Sequence, residues 1–300
     1  MIRNIPIAAS VFAAFAAATI SGAALASAEA PSGSALAVPV LPSPTPTSSA
    51  IAAHRAGQIY DYSLHGEVGQ SIVGSDALGR AVDQRAMPTT LNGRERVAIK
   101  EASSDGLTLH RSGAITATVA GRPVSKPGTG WTLVNAEGVV VRDHGTLGGL
   151  FLLPLGFLGE RAVKGGAVLA IGDSWGGKLG TKLYGMTARP ELSFSVTGMR
   201  YVLGQSVYSI DATGTVPMRE PVVTNTGVLL GYASGSAKLD LRFDYDRANA
   251  RVVALDLTVR DTLTMSGTGK SARGKVEDTQ RYLVALDAGS ISASAVSRSL

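Results

Sequence analysis

The 300-residue chain contains no cysteine. That absence excludes disulfide scaffolds, thiolate zinc sites, iron–sulfur clusters, cysteine nucleophiles and thioester lipid anchors. Histidine is scarce too: His54, His65, His110 and His144 are isolated, without the His-x-His or His-x-x-x-His spacing that builds a local zinc or copper site. Aromatics reach only 5% and charged residues 17%, and the formal net charge is +5. The basic residues are scattered among acids, as in Arg94-Glu95-Arg96, so the basic stripe with stacking aromatics that nucleic acid needs is missing. A mild basic excess still favours weak contact with anionic envelope surfaces. Glycine, by contrast, is abundant at 36 residues, which predicts many turns.

The first stretch reads as an address. Arg3 precedes an apolar, alanine-rich run from Ile5 to Leu25 that closes on Ala26-Ser27-Ala28, a small-x-small cleavage pattern. The run has the roughly 20 residues that a membrane span needs, but Pro6 and Gly22 interrupt it and a cleavage motif ends it. The expectation is a cleavable export signal over 1–28 and a periplasmic or secreted domain with no transmembrane span after cleavage. Residues 29–56 hold Pro39, Pro42, Pro44 and Pro46 among Ser, Thr and Ala, the composition of an extended tether. The folded domain is expected over 57–290, with a flexible tail over 291–300.

Within it the dominant period is two. Leu239, Leu241, Phe243 and Tyr245 alternate with Lys238, Asp240, Arg242 and Asp244; Val253, Leu255, Leu257, Val259, Leu263 and Met265 form the matching apolar row, broken only by Asp261. Asp246 to Ala250 between them is a connector of hairpin length. Similar alternation recurs at Tyr60-Tyr62-Leu64, Val97-Ile99, Leu107-Leu109, Ile115-Ala117-Val119 and Leu192-Phe194-Val196. This spacing predicts an all-β antiparallel fold, a two-layer sandwich or half-barrel of about a dozen strands, with at most one or two short helices. Two similarly built halves are expected, 57–145 and 165–286. One helix is predicted over Asp76 to Ala86, with Ser75 as its cap and Met87-Pro88 as its stop.

The sharpest motif is Val168-Leu169-Ala170-Ile171-Gly172-Asp173-Ser174-Trp175-Gly176. It resembles the nucleophile elbow of α/β hydrolases and the Gly-Asp-Ser block of GDS-type esterases, which would make Ser174 a nucleophile. Both families place their histidine after the serine, whereas all four histidines here precede it, and the glycines after Trp175 do not start a helix. The reading favoured is a tight turn between strands in which Asp173 and Ser174 bond turn amides. Leu153-Pro154, Val163 to Gly166, Gly172-Asp173-Ser174-Trp175 and the Asp246 to Val253 hairpin also resemble, over about residues 150–268, a group of exported bacterial all-β proteins of unassigned function. That resemblance implies an exported β domain and supplies no catalytic residue. At the level of fold alone the expected domain is similar to periplasmic lipoprotein carriers.

Asp244-Tyr245-Asp246 with Asn249 has oxygen ligands but not the spacing of a calcium loop, and alternation places both aspartates on the solvent face. No metal and no cofactor is expected. The apolar segment Leu147 to Leu158 is neither alternating nor helical in period. It reads as buried crossover or as a hydrophobic lip over a ligand. The leading functional expectation is a non-enzymatic envelope protein that binds an apolar ligand such as a lipid or lipoprotein acyl chain on an apolar sheet face, through Phe151, Leu153, Leu155, Phe157 and Trp175. The alternative is a structural or interaction module of the envelope that carries no ligand cavity. A serine hydrolase using Ser174 ranks third.

Overall fold

The computed structural model describes residues 54–75, 81–85, 89–119, 122–145, 169–182, 186–202, 204–223, 229–267 and 273–287. The structure is all-β: twelve antiparallel strands in one sheet, with no helix among the described residues. The strands are β1 (Ile59–Ser75), β2 (Ala81–Arg85), β3 (Thr89–Ser103), β4 (Gly106–Val119), β5 (Arg122–Asn135), β6 (Val140–Gly145), β7 (Ser174–Lys178), β8 (Glu191–Val202), β9 (Gln205–Val223), β10 (Leu229–Asp246), β11 (Arg251–Gly267) and β12 (Arg273–Leu286). Their order is β6-β5-β4-β3-β1-β12-β11-β10-β9-β8-β7. Two meanders, β3 to β6 and β7 to β12, therefore meet where β1 pairs with β12, with Tyr62 opposite Leu286 and Ser75 opposite Arg273.

The sheet is open, with β6 and β7 as its outer strands, yet it curls until those edges touch. The Val140 N–H at the start of β6 donates to the Gly180 carbonyl just past β7, at 3.0 Å. A flat eleven-strand path at about 4.8 Å per strand would hold those edges about 48 Å apart, so this one bond requires strong curvature. The apolar rows turn inward. Leu64, Leu91, Val97, Phe194, Leu241 and Leu257 are each no more than 4% exposed, as are most of their same-face neighbours. Phe194 packs edge-on against Phe243, with ring centroids 6.4 Å apart.

The predicted β10–β11 hairpin forms, with Leu241 opposite Leu257 and Phe243 opposite Leu255, and residues 247–250 make the turn. The helix predicted over Asp76 to Ala86 is corrected in its described part: Ala81–Arg85 is strand β2, paired with Ser71–Ser75. The cause is tertiary. β3 leaves the edge of β1 at Val68, and β2 takes up the backbone groups that β3 no longer bonds. Among the described residues no helix is long and apolar enough to cross a membrane.

Candidate functional site

The outer face carries a groove of about 860 Å³ that runs across the strands. Register explains it. One row of hydrogen-bond-direction neighbours reads Ala114, Arg94, Ser63, Ala285, Ala254, Asp244, from β4 through β3, β1, β12 and β11 to β10. The next outward row reads Thr116, Asn92, His65, Leu283, Asp256, Arg242. Side chains in adjacent outward rows stand side by side on a pleated face. A mostly small row beside a mostly large one therefore leaves a trough, about 24 Å long over five strand spacings of about 4.8 Å. All twelve residues line it, and Arg200 reaches in from β8.

The trough is charged but largely self-compensated. Arg200 Nε donates to Asp244 Oδ1 at 2.8 Å, and its Nη2 pairs with Oδ2 of the same carboxylate; Ser209 adds a third bond. Arg242 pairs with Asp211 at 3.0 Å, and Arg281 with Asp256 at 2.7 Å. His65 Nδ1 lies 2.8 Å from Asn92 Oδ1. Among the described residues Arg94 has no ion pair, so it is the lining cation open to an external anion.

Two sequence expectations are corrected by these bonds. Asp244 and Asp246, placed by alternation on the solvent face, are each 1% exposed. Asp244 keeps its outward parity but is covered by the Arg200 side chain. A register shift between Asp244 and Tyr245 carries Asp246 into a buried turn, where Arg251 Nε donates to it at 3.2 Å and the Asn249 side chain bonds it as well. Both carboxylates are occupied by arginines. Among the described residues no group of three or more His, Asp or Glu is placed to hold a metal ion.

Ser174 opens the exposed strand β7 opposite Ser195. Before it lies a turn closed by Asp173 N–H to the Ala170 carbonyl at 3.0 Å, with Gly172 at φ +93° in the third position, the geometry of a type II turn. Asp173 Oδ2 accepts from the Ala170 N–H at 3.0 Å, and Val196 N–H bonds Asp173 O at 2.9 Å, which pins the turn to β8. The chain leaves this turn as strand β7 and not as the helix of a nucleophile elbow. His54, His65 and His110 bond Tyr60, Asn92 and Thr129 respectively.

Of the residues predicted to seat an apolar ligand, Phe151, Leu153, Leu155 and Phe157 lie outside the described residues. Trp175 is on β7, half-buried and stacked on Phe194 with centroids 5.3 Å apart and planes at 7°. Its Nε1 is buried without a hydrogen-bond partner.

Sequence reasoning missed a second polar constellation, on the inner face. Glu95 of β3 and Arg111 of β4 are both 1% exposed and bonded at 2.5 Å. Arg111 Nη1 reaches Asp143 of β6 at 3.1 Å, and Thr132 Oγ1 donates to the same oxygen at 2.7 Å. Burial pushes the Glu95 carboxyl up to about 7 against the pull of Arg111, and Asp143 adds repulsion. Tyr62, opposite Glu95 in register, is driven far above the usual phenol range, chiefly by burial and then by Tyr60. His54, beside Tyr60, is lowered to about 4, chiefly by burial. The signal was available: Glu95 shares its parity with Leu91, Val97 and Ile99, and Arg111 with Leu107, Leu109 and Ile115.

No family model and no curated protein matches the chain.

Proposed function

We propose that the chain is an exported, non-enzymatic interaction module of the cell envelope that binds an extended, negatively charged polymer across its strands, in the outer groove. The observation that supports this is the groove: a floor of mostly small side chains over six strands, with Arg94 along it, a cation that has no ion pair among the described residues. A trough about 24 Å long suits a polymer better than a compact metabolite. Its lining holds no tryptophan or tyrosine, so charge and hydroxyl contacts take the place of sugar-ring stacking. The net charge of +5 points the same way.

A tryptophan raised from the floor tests this reading. Ala254→Trp and Ala285→Trp fill the trough while leaving the inner face untouched. By titration calorimetry at low salt, polygalacturonate is expected to bind the wild type and to lose at least about tenfold in affinity in either variant, about 1.4 kcal/mol, whereas neutral dextran binds neither. Undiminished polygalacturonate binding in both variants contradicts the reading.

A carrier for a lipid or lipoprotein acyl chain is the second proposal. It is favoured by Trp175, whose buried, unpartnered Nε1 lies on the seam strand β7. The described part of the apolar face is buried, so on this reading the ligand enters by the seam.

A further inference from the structure

We propose that Glu95, Arg111 and Asp143 form a pH-operated latch on the edge strand β6, so that the seam between β6 and β7 loosens when Glu95 ionises. Arg111 is the shared element. From β4 its Nε donates to Glu95 Oε1 on β3 at 2.5 Å and its Nη1 to Asp143 Oδ1 on β6 at 3.1 Å, with Thr132 of β5 bonded to the same Asp143 oxygen. One guanidinium thus serves two carboxylates. With Glu95 protonated, Arg111 balances Asp143; with Glu95 ionised, an excess negative charge sits inside the sheet, where its desolvation is poorly repaid.

Among the described residues, the groups that face Glu95 supply one cation for that charge, Arg111. They are Tyr62 from β1, Arg111 from β4, Thr132 from β5 and Asp143 from β6, while Arg251 at the start of β11 acts on Tyr62. Glu95 Oε2 and Tyr62 Oη are both buried without a hydrogen-bond partner. The Glu95 carboxyl stands at about 7, so the change falls near neutrality. Of the two carboxylates only Asp143 can leave. Its side chain is 28% exposed against 0% for Glu95, and it sits on a six-residue edge strand whose register slips at Leu133/Val134. Relief therefore comes by turning Asp143 to water, which removes the side-chain tie between β6 and the core and leaves the Val140–Gly180 bond to hold the seam.

The test is amide hydrogen exchange of the full chain from about pH 5.5 to about pH 8.5, corrected for intrinsic rates. Protection of the β6 amides is expected to fall as pH rises toward the Glu95 midpoint of about 7, by at most about tenfold per pH unit, and to level off above it, while β10 and β11 amides stay level. In Glu95→Gln the β6 profile becomes flat. Should that variant not fold, two other measurements decide: a carboxyl carbon NMR titration that gives Glu95 a midpoint near 7, and a flattened β6 profile in Asp143→Asn. His144→Gln, which removes the outward titratable group of β6, keeps the wild-type profile. The latch is overturned by pH-independent β6 protection, by a decline that survives Glu95→Gln or disappears in His144→Gln, or by a Glu95 midpoint near the ordinary 4.5.

Discussion

The two meanders use their inner faces differently. From β7 to β12 the inward rows are aliphatic and aromatic, with Phe194, Leu241, Phe243, Leu255 and Leu257 in contact and Asp261 the charged residue within them. From β1 to β6 the same kind of face carries Tyr60, Tyr62, Glu95, Arg111 and Thr132, all at most 1% exposed. Apolar packing dominates the first half, with the buried Asp246–Arg251 pair at the β10–β11 turn. The second depends on one guanidinium, Arg111, shared by the two carboxylates Glu95 and Asp143. The lesson is that a curled sheet can bury the inner faces of both meanders and still concentrate its pH sensitivity in one.

The sharpest break of that contrast compares two truncations. Arg111→Met leaves Glu95 buried without its cation and is expected to lower unfolding free energy by about 3–5 kcal/mol. Adding Glu95→Met should restore most of that loss, because two apolar groups can replace a buried pair at little net change. Phe243→Ala in the other half is expected to lose a similar about 3–5 kcal/mol through cavity formation, with no such rescue by a neighbouring substitution. Urea unfolding of these variants and the wild type at one pH measures all of this, and a double variant as unstable as Arg111→Met would erase the distinction.

A smaller effect separates two buried titrations of opposite sign. Glu95, raised from 4.5 to about 7, contributes stability that is fully present below pH 4.5 and lost as pH rises to about 7. His54, lowered from 6.5 to about 4, contributes stability that is present above pH 6.5 and lost as pH falls to about 4. The two slopes oppose each other through the weakly acidic range. Glu95→Gln should therefore leave stability rising with pH there and His54→Gln should leave it falling, read from urea midpoints; parallel slopes in the two variants would contradict both assignments. The smallest effect is expected at the exposed Arg281–Asp256 pair beside the groove, where Asp256→Asn should change stability by less than about 1 kcal/mol.

Much of this architecture was legible in the sequence because it rests on local alternation. The β10–β11 hairpin, its Asp246 to Ala250 turn and the strands around Tyr60, Val97, Leu109 and Phe194 all come from period two. The turn reading of Gly172-Asp173-Ser174 was legible as well, from its glycine and aspartate. Ala81–Arg85 was not, because its strand state is imposed by the free edge of β1, and nothing local to it signals that β3 ends its pairing at Val68. Nor was the burial of Asp244, whose covering arginine lies 44 residues distant. The groove was invisible for the same reason, since Ala114, Ser63, Ala285 and Ala254 become neighbours only through four strand registers. Glu95 and Arg111 were different, because each sits on an apolar row and parity alone marks it as inward.

The most direct measurement for the functional account is a methyl NMR titration of the wild-type chain with polygalacturonate. The methyls of Ala254, Ala285 and Leu283 face the groove, and those of Leu257, Val259 and Leu263 face the core. Binding across the outer face predicts progressive shifts in the first set, abolished by added salt, with the second set unmoved. Shifts confined to the core methyls, or none in either set, would contradict it.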